Sequence, residues 1–332
     1  PAGHQPMHSS SGRFIIIFNG EIYNHLDLRE EIQSKKKIIW KGNSDTETIC
    51  ELIENRGFEE TIKSLKGMFA ICVYDTKDKS VLLARDRFGE KPLYYGELEG
   101  NLIVSSTLDF LKYRIDKHNF NISSDAVRSY LEKTFIPQTQ CIFKEFNKVK
   151  PGNITKIDLA TKSTINKMYW SHIDQKRKTN KKENFIEKIE SALSTSVKRQ
   201  LISDRPIGSF LSGGIDSSLI SALASMHLSK KKLKTFTIGF HEDDYDEAIF
   251  AEKIAEHLGT EHKTLIVKPE MIIDSVQNIS EIYDEPFADY SQVPTYILSK
   301  LTSEFVTVAL SGDGGDELFG GYNRYKYFNY VN

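Results

Sequence analysis

Apolar positions in the first half of the chain fall in short runs. The stretches 14–18, 69–74, 81–84 and 102–105 are rich in apolar and β-branched residues, and each predicts a strand. Over 45–54 the period changes, because Thr48, Ile49, Leu52 and Ile53 share one helical face. A second helix is predicted over 124–131, opened by a serine cap. Lys176, Arg177, Lys178, Lys181 and Lys182 then crowd a stretch, 171–184, that is almost without apolar residues. No aromatic residues interleave with them, so the stretch reads as a solvated linker and not a nucleic-acid patch. Beyond it strands and helices alternate: helix 185–201, strand 207–211, helix 219–228, strand 234–240, helix 246–258 closed by Gly259, strand 262–267, helix 269–283 and strand 305–310. Such alternation predicts a parallel sheet covered by helices on both faces, with ligands at the carboxyl ends of the strands.

Composition narrows the class. The 332 residues carry 39% hydrophobic positions and a net charge of −2, with mean hydropathy −0.40. These values fit a globular chain of about two domains and imply no global attraction to nucleic acid. No apolar run is long enough to span a bilayer and no secretory leader is visible, so a cytoplasmic location is expected. Cys50, Cys72 and Cys141 are scattered in apolar surroundings and read as reduced core thiols, with no metal-ligand spacing around them.

The strongest chemical signal is Ser212-Gly213-Gly214-Ile215-Asp216-Ser217-Ser218, set between a predicted strand and a predicted helix. A small-residue turn there directs backbone N–H groups and the positive helix end at an anion. Asp216 beside a phosphate requires a cation between them, which suggests Mg²⁺. The G-x-x-x-x-G-K-[ST] loop is absent. A plain Gly/Ser helix cap is the simpler alternative. A second glycine- and acid-rich loop, Ser311-Gly312-Asp313-Gly314-Gly315-Asp316-Glu317, follows the last predicted strand and suits close approach to a nucleotide with a bound cation. A Gly/Asp turn is its simpler reading.

The first loop resembles the SGGxDS pyrophosphate loop of ATP pyrophosphatases. Together with FTIGF, DEAIFAEKIAEHLGT, DEPF and SGDGGDELFGGYNRY, it makes the C-terminal half resemble the synthetase domain of glutamine-hydrolysing asparagine synthetases. The resemblance implies ATP as a substrate. It places Leu211 and Ile238 around the adenine, and Ser311 and Gly312 on the nucleotide. Ser212, Gly213, Gly214, Ser217 and Ser218 would hold the pyrophosphate, and Asp216 and Asp316 the Mg²⁺. Asp313 stands where many members carry a glutamate near the adenylate, and by this resemblance it is a catalytic residue.

In the N-terminal half, Asn19-Gly20 alone would signal a turn. The longer NGEIYN, GNSDTE and RDRFGEKPLYY strings resemble the N-terminal-nucleophile glutaminase domain of the same family. That domain is an αββα sandwich, here assigned to 1–170, with the linker at 171–184 and the α/β ATP-pyrophosphatase domain at 185–332. By this resemblance Asn19 and Gly20 supply an oxyanion hole, Glu21 and Asp45 receive the α-amino group of glutamine, and the 85–95 string shapes the domain face or the ammonia route. The family's nucleophile is an N-terminal cysteine that uses its own amine as base. Pro1 has no thiol, and the arginine segment that grips the glutamine carboxylate does not precede Gly3. The chain is therefore expected to lack its first portion and, past Tyr330, its last. No glutaminase activity is expected of these residues alone.

The function implied is ATP-dependent amidation: a carboxylate is activated as an acyl-adenylate and then amidated by glutamine-derived ammonia. Aspartate is the default acceptor, although Asp284 to Thr295 departs from the version associated with strict aspartate users. A sugar uronic acid of surface-polysaccharide synthesis is one alternative, and an intramolecular amide-former similar to β-lactam synthetase is another. A nucleic-acid-binding or inactive ATP-pyrophosphatase module comes from a different class. Substrates are small molecules, no nucleic acid or membrane partner is implied, and a homodimer is an open expectation.

Overall fold

The computed structural model describes residues 3–113, 120–173, 184–228, 231–239 and 248–325. Pro1, the basic cluster at Lys176, Arg177, Lys178, Lys181 and Lys182, Phe240, Asp246, Glu247 and Tyr330 lie outside the described residues. The chain forms two units, Pro1–Thr179 with Tyr283–Ala288, and Asn180–Ile282 with Asp289–Asn332.

The first unit contains β1 (Met7–His8), β2 (Phe14–Ile22), α1 (His25–Lys35), α2 (Asp45–Arg56), α3 (Phe58–Ser64), β3 (Gly67–Asp75), β4 (Ser80–Arg85), β5 (Tyr94–Leu98), β6 (Asn101–Ser105), a 3-10 turn (Asp109–Tyr113), α4 (Ser124–Lys133), β7 (Phe146–Lys148), β8 (Asn153–Asp158) and β9 (Thr164–Met168). They build two antiparallel sheets, ordered β1-β2-β3-β4-β8-β9 and β6-β5-β7. Phe14, Ile16 and Phe18 alternate along β2 and pack with Phe69, Ile71 and Val73 of β3 against Leu28 and Ile32 of α1 and Ile49, Leu52 and Ile53 of α2. On the opposite face, Ala70, Val81 and Leu83 pack with Leu93, Val149 and Ile157 and with Tyr95, Leu102 and Val104 of the smaller sheet. Tyr94 and Phe146 turn the other way, towards Leu108, Leu111 and Ala126 of α4. The apolar clusters thus separate helix, sheet, sheet and helix layers. β3 is covered on both faces, which is why 69–74 reads as a continuous apolar run instead of an alternating one.

Asn19-Gly20 is not a turn. Both residues lie inside β2, opposite Ala70 and Phe69 of β3. A Cβ at Gly20 would fall 2.1 Å from the Met68 carbonyl oxygen, so the glycine serves close strand approach.

The second unit contains α5 (Phe185–Gln200), β10 (Ile207–Phe210), α6 (Ile215–His227), β11 (Lys234–Gly239), α7 (Ala248–Leu258), β12 (Glu261–Ile266), α8 (Pro269–Gln277), α9 (Ile279–Ile282), α10 (Gln292–Thr302), β13 (Val308–Leu310) and α11 (Gly315–Phe319). The sheet order is β12-β11-β10-β13, and all its pairings are parallel. Strand order therefore reverses between β10 and β13, which makes the carboxyl ends of those two strands the switch point where α/β sheets bind ligands.

Three expectations need correction here. The helix read over 269–283 is two helices broken at Asn278, where the cap N–H bonds back to Ser275 and Val276. The strand read over 305–310 begins only at Val308, because Phe305 and Val306 close the turn after α10 onto the Thr302 carbonyl. The cradle helix starts at Ile215 and not at Leu219, so Asp216, Ser217 and Ser218 occupy its first turn.

Candidate functional site

The SGGIDSS loop leaves β10 at the switch point. Gly213 has φ +84°, and a Cβ there would meet Phe250 Cβ of α7 at 2.8 Å. Only glycine satisfies both demands. Gly214 is the N-cap of α6 and provides no side-chain cap, so the first-turn amides are left to an outside acceptor. The hydroxyls form a compact set: Ser212 Oγ lies 3.0 Å from Ser217 Oγ and accepts from the Gly214 N–H at 3.3 Å, and Ser218 Oγ donates to the Gly214 carbonyl at 2.6 Å. Beneath them Ser209 Oγ lies 2.9 Å from Ser221 Oγ and ties β10 to α6. Leu211 is 1% exposed, packs with Ala251 and Ala255 of α7, and donates its N–H to the Phe236 carbonyl at 2.9 Å. Ile238, on the neighbouring β11, is half-buried.

The second loop leaves β13, the other strand at the switch point. A Cβ at Gly312 would fall 2.7 Å from the Ser217 N, and one at Gly315 would fall 2.4 Å from Cγ of Asp216. The two glycines let the loop lie directly against the first turn of α6 and reserve the space that the Asp216 carboxylate fills. Ser311 Oγ donates to Asp313 Oδ2 at 3.0 Å. Asp316 lies in the first turn of α11, with its Oδ1 against Gly321. Among the described residues no group of three or more His, Cys, Asp or Glu could hold a metal ion. Asp216 and Asp316 stand in the first turns of the helices that follow the two loops, α6 and α11.

A separate constellation lies in the first unit. Asn19 Nδ2 donates to Ser106 Oγ at 3.2 Å from the exposed face of β2. Asp45 Oδ2 accepts the Ile22 N–H at 3.1 Å, which brings the Asp45 carboxylate beside the backbone that follows Gly20 and Glu21. Ser44 caps α2 through the Thr46 N–H at 3.1 Å. Burial pushes the Asp45 carboxyl above its ordinary range, against the pull of the Ile22 N–H and of His25. Burial also lowers the His25 imidazole, partly offset by Asp45.

The 85–95 string is architectural. Arg85, 3% exposed, donates to the carbonyls of Lys91, Gly89 and Val149 and to Gln138 Oε1. Asp86, 0% exposed, accepts the N–H groups of Phe69, Phe88, Glu90 and Lys91. Together they fold the 86–91 loop onto β3. The three thiols are free, and burial pushes each up to about 12, so they stay protonated.

Residues 1–170 match the glutamine amidotransferase domain family and residues 188–330 the asparagine synthase family. The chain belongs to the glutamine-hydrolysing asparagine synthetase family. It is 38% identical over 309 residues to the putative asparagine synthetase [glutamine-hydrolyzing] 2 of Methanocaldococcus jannaschii, covering 93% of this chain and 59% of that one. It is 35% identical over 326 residues to asparagine synthetase [glutamine-hydrolyzing] 1 of Bacillus subtilis, covering 98% and 50%. The chain thus spans about half the length of the curated relatives it matches. Among solved structures it is similar to a glutamine phosphoribosylpyrophosphate amidotransferase from B. subtilis at 14% identity and TM-score 0.37, covering 89% of this chain and 53% of that one.

Two residues near the first-unit constellation were passed over in the sequence. Arg29 and Glu47 form a largely buried ion pair at 3.0 Å beside the loop that precedes Asp45. The S-x-x-E spacing of Ser44 and Glu47, a capping-box signature, is the signal that could have found Glu47.

Proposed function

We propose that the protein is an ATP-dependent amidotransferase of the asparagine synthase type. The observation that carries this reading is the packing of Gly312 and Gly315 against Asp216 and Ser217, which sets both nucleotide-type loops at the switch point of one parallel sheet. The acceptor carboxylate, aspartate by default, attacks the α-phosphorus of ATP to give an acyl-adenylate and pyrophosphate. Ammonia then displaces AMP to form the amide. The first-turn amides of α6 and the hydroxyls of Ser212, Ser217 and Ser218 bind the leaving pyrophosphate. Leu211 and Ile238 would frame the adenine, and Ser311 and Gly312 would touch the nucleotide. Asp216 and Asp316 would hold Mg²⁺, which supplies neutralising charge for the phosphates when bound. In the first unit, Asn19 and Gly20 stabilise the oxyanion of glutamine hydrolysis, and Glu21 with Asp45 receives the substrate α-amine. The helix, sheet, sheet and helix order of its apolar clusters supports reading this unit as an N-terminal-nucleophile-type sandwich.

Pyrophosphate release by the full-length protein tests the reading, with ATP, Mg²⁺, either nitrogen donor, and aspartate or glucuronate as acceptor. Aspartate-dependent release is expected, and Asp216→Ala should remove it. Release that persists in the variant would contradict the role of Asp216. Release only with glucuronate would reassign the acceptor.

A further inference from the structure

The loop ahead of Asp45 is held by an ion pair that takes no part in capping the helix. Glu47 Oε1 accepts the Lys41 N–H at 2.6 Å, and Oε2 accepts the Gly42 N–H at 2.9 Å. Arg29 Nη2 bonds Glu47 Oε2 at 3.0 Å and the Gly42 carbonyl at 2.6 Å, and Nη1 reaches Asn43 Oδ1 at 3.4 Å. The guanidinium lies 3.9 Å from the Trp40 ring centroid, and Trp40 Nε1 donates to Gln33 Oε1 at 2.8 Å. Both partners are nearly closed off, with side chains 11% and 10% exposed. In an ordinary capping box Glu47 would turn back to the Ser44 N–H. Here Ser44 Oγ and Asp45 Oδ1 share the Thr46 N–H, at 3.1 and 2.8 Å, while Glu47 reaches past them to two earlier amides. The chain from Lys41 to Asn43 is therefore fixed at both its N–H and its C=O groups, directly before the Asp45 carboxylate that bonds Ile22 of the neighbouring strand.

We propose that Arg29 and Glu47 are positioning residues for glutamine: their clamp on 41–43 sets the Asp45 carboxylate at the place where the substrate ammonium docks. This rests on the glutamine-binding reading given above. A clamp that only places a binding carboxylate acts on substrate affinity more than on turnover, because ground state and transition state lose the same contact.

The test compares wild type, Glu47→Gln, Arg29→Met and Glu51→Gln in the full-length protein. Glu51 belongs to the same helix and also binds backbone, through the Ser10 N–H at 2.9 Å, so its variant reports a merely structural loss. Glu47→Gln and Arg29→Met should raise the glutamine KM about tenfold or more, with kcat within about twofold and ammonium-dependent turnover unchanged. Glu51→Gln should leave the glutamine KM unchanged. Hydrogen exchange by mass spectrometry should accelerate over 40–44 in both clamp variants. An unchanged KM, a parallel loss with ammonium, an equal effect of Glu51→Gln or unchanged exchange overturns the clamp alone. Absence of glutamine-dependent turnover in the wild type overturns the glutamine-binding reading, and the clamp's role falls with it.

Discussion

Gly315 leaves no room for a methyl group: its missing Cβ would occupy the position of the Asp216 carboxylate, 2.5 Å from Oδ2. Gly315→Ala should therefore displace that carboxylate and cut pyrophosphate release by about a hundredfold, while circular dichroism stays native. Unchanged release would show that the carboxylate position does not matter to turnover. Asn19 Nδ2 donates to Ser106 Oγ at the exposed face of β2. In the full-length protein Asn19→Ala should impair glutamine-dependent turnover by about a hundredfold or more and leave ammonium-dependent turnover intact, the sign of a lost oxyanion donor. Equal losses with the two nitrogen sources would argue against that role. The chemistry-bearing glycines and acids of the second unit were readable one by one, because glycine, serine and aspartate at a strand end have few structural reasons to cluster. The Arg29–Glu47 pair was not, since a charged pair spaced by eighteen positions carries no periodic signal.

Elements were legible in proportion to how much of each is buried. Strands β2, β3 and β4 each bury three or four apolar side chains and stood out in the sequence. Helix α1 buries only Leu28 and Ile32 among eleven residues, too few to mark a face. All five residues of β9 are exposed, and its backbone pairing with β8 has no apolar pattern to betray it. The break between α8 and α9 escaped notice because the apolar spacing runs on through Asn278 while the backbone does not. Phe305 imitated a strand residue since it is apolar and stacks on Phe236 at 5.8 Å, yet it does so from a turn. Helix α4 was readable through its cap: Ser123 Oγ accepts the Ala126 N–H at 3.3 Å. Ser123→Ala should lower the urea-unfolding stability by about 1 kcal/mol, whereas Ser123→Asp should largely keep it.

Across the whole chain, two half-buried histidines give stability a pH dependence of definite sign. Burial lowers His25, with Asp45 opposing, and lowers His262, with Glu252 opposing, both from the ordinary imidazole value of 6.5. Above that value both are neutral whether folded or unfolded. As pH falls through it, the unfolded chain takes up protons that the fold resists, so stability drops towards the lowered folded values. The urea midpoint should fall between pH 7.5 and pH 5.5, and His262→Gln should flatten part of that slope. A midpoint that rises on acidification would reverse the assignment. No helix among the described residues is long and apolar enough to cross a membrane. The first unit is discontinuous, because it takes in Tyr283–Ala288. Within it Glu285 pairs with the nearly buried Lys148 ammonium and accepts the Ile142 N–H at 2.8 Å, and Asp284 accepts the Leu108 N–H at 2.9 Å. A gene segment ending near residue 179 would encode most of this unit but strand a buried cation, a defect of about 3–5 kcal/mol. Recombination between relatives therefore has to co-inherit two distant stretches of coding sequence, and the unit of folding is not the unit of exchange.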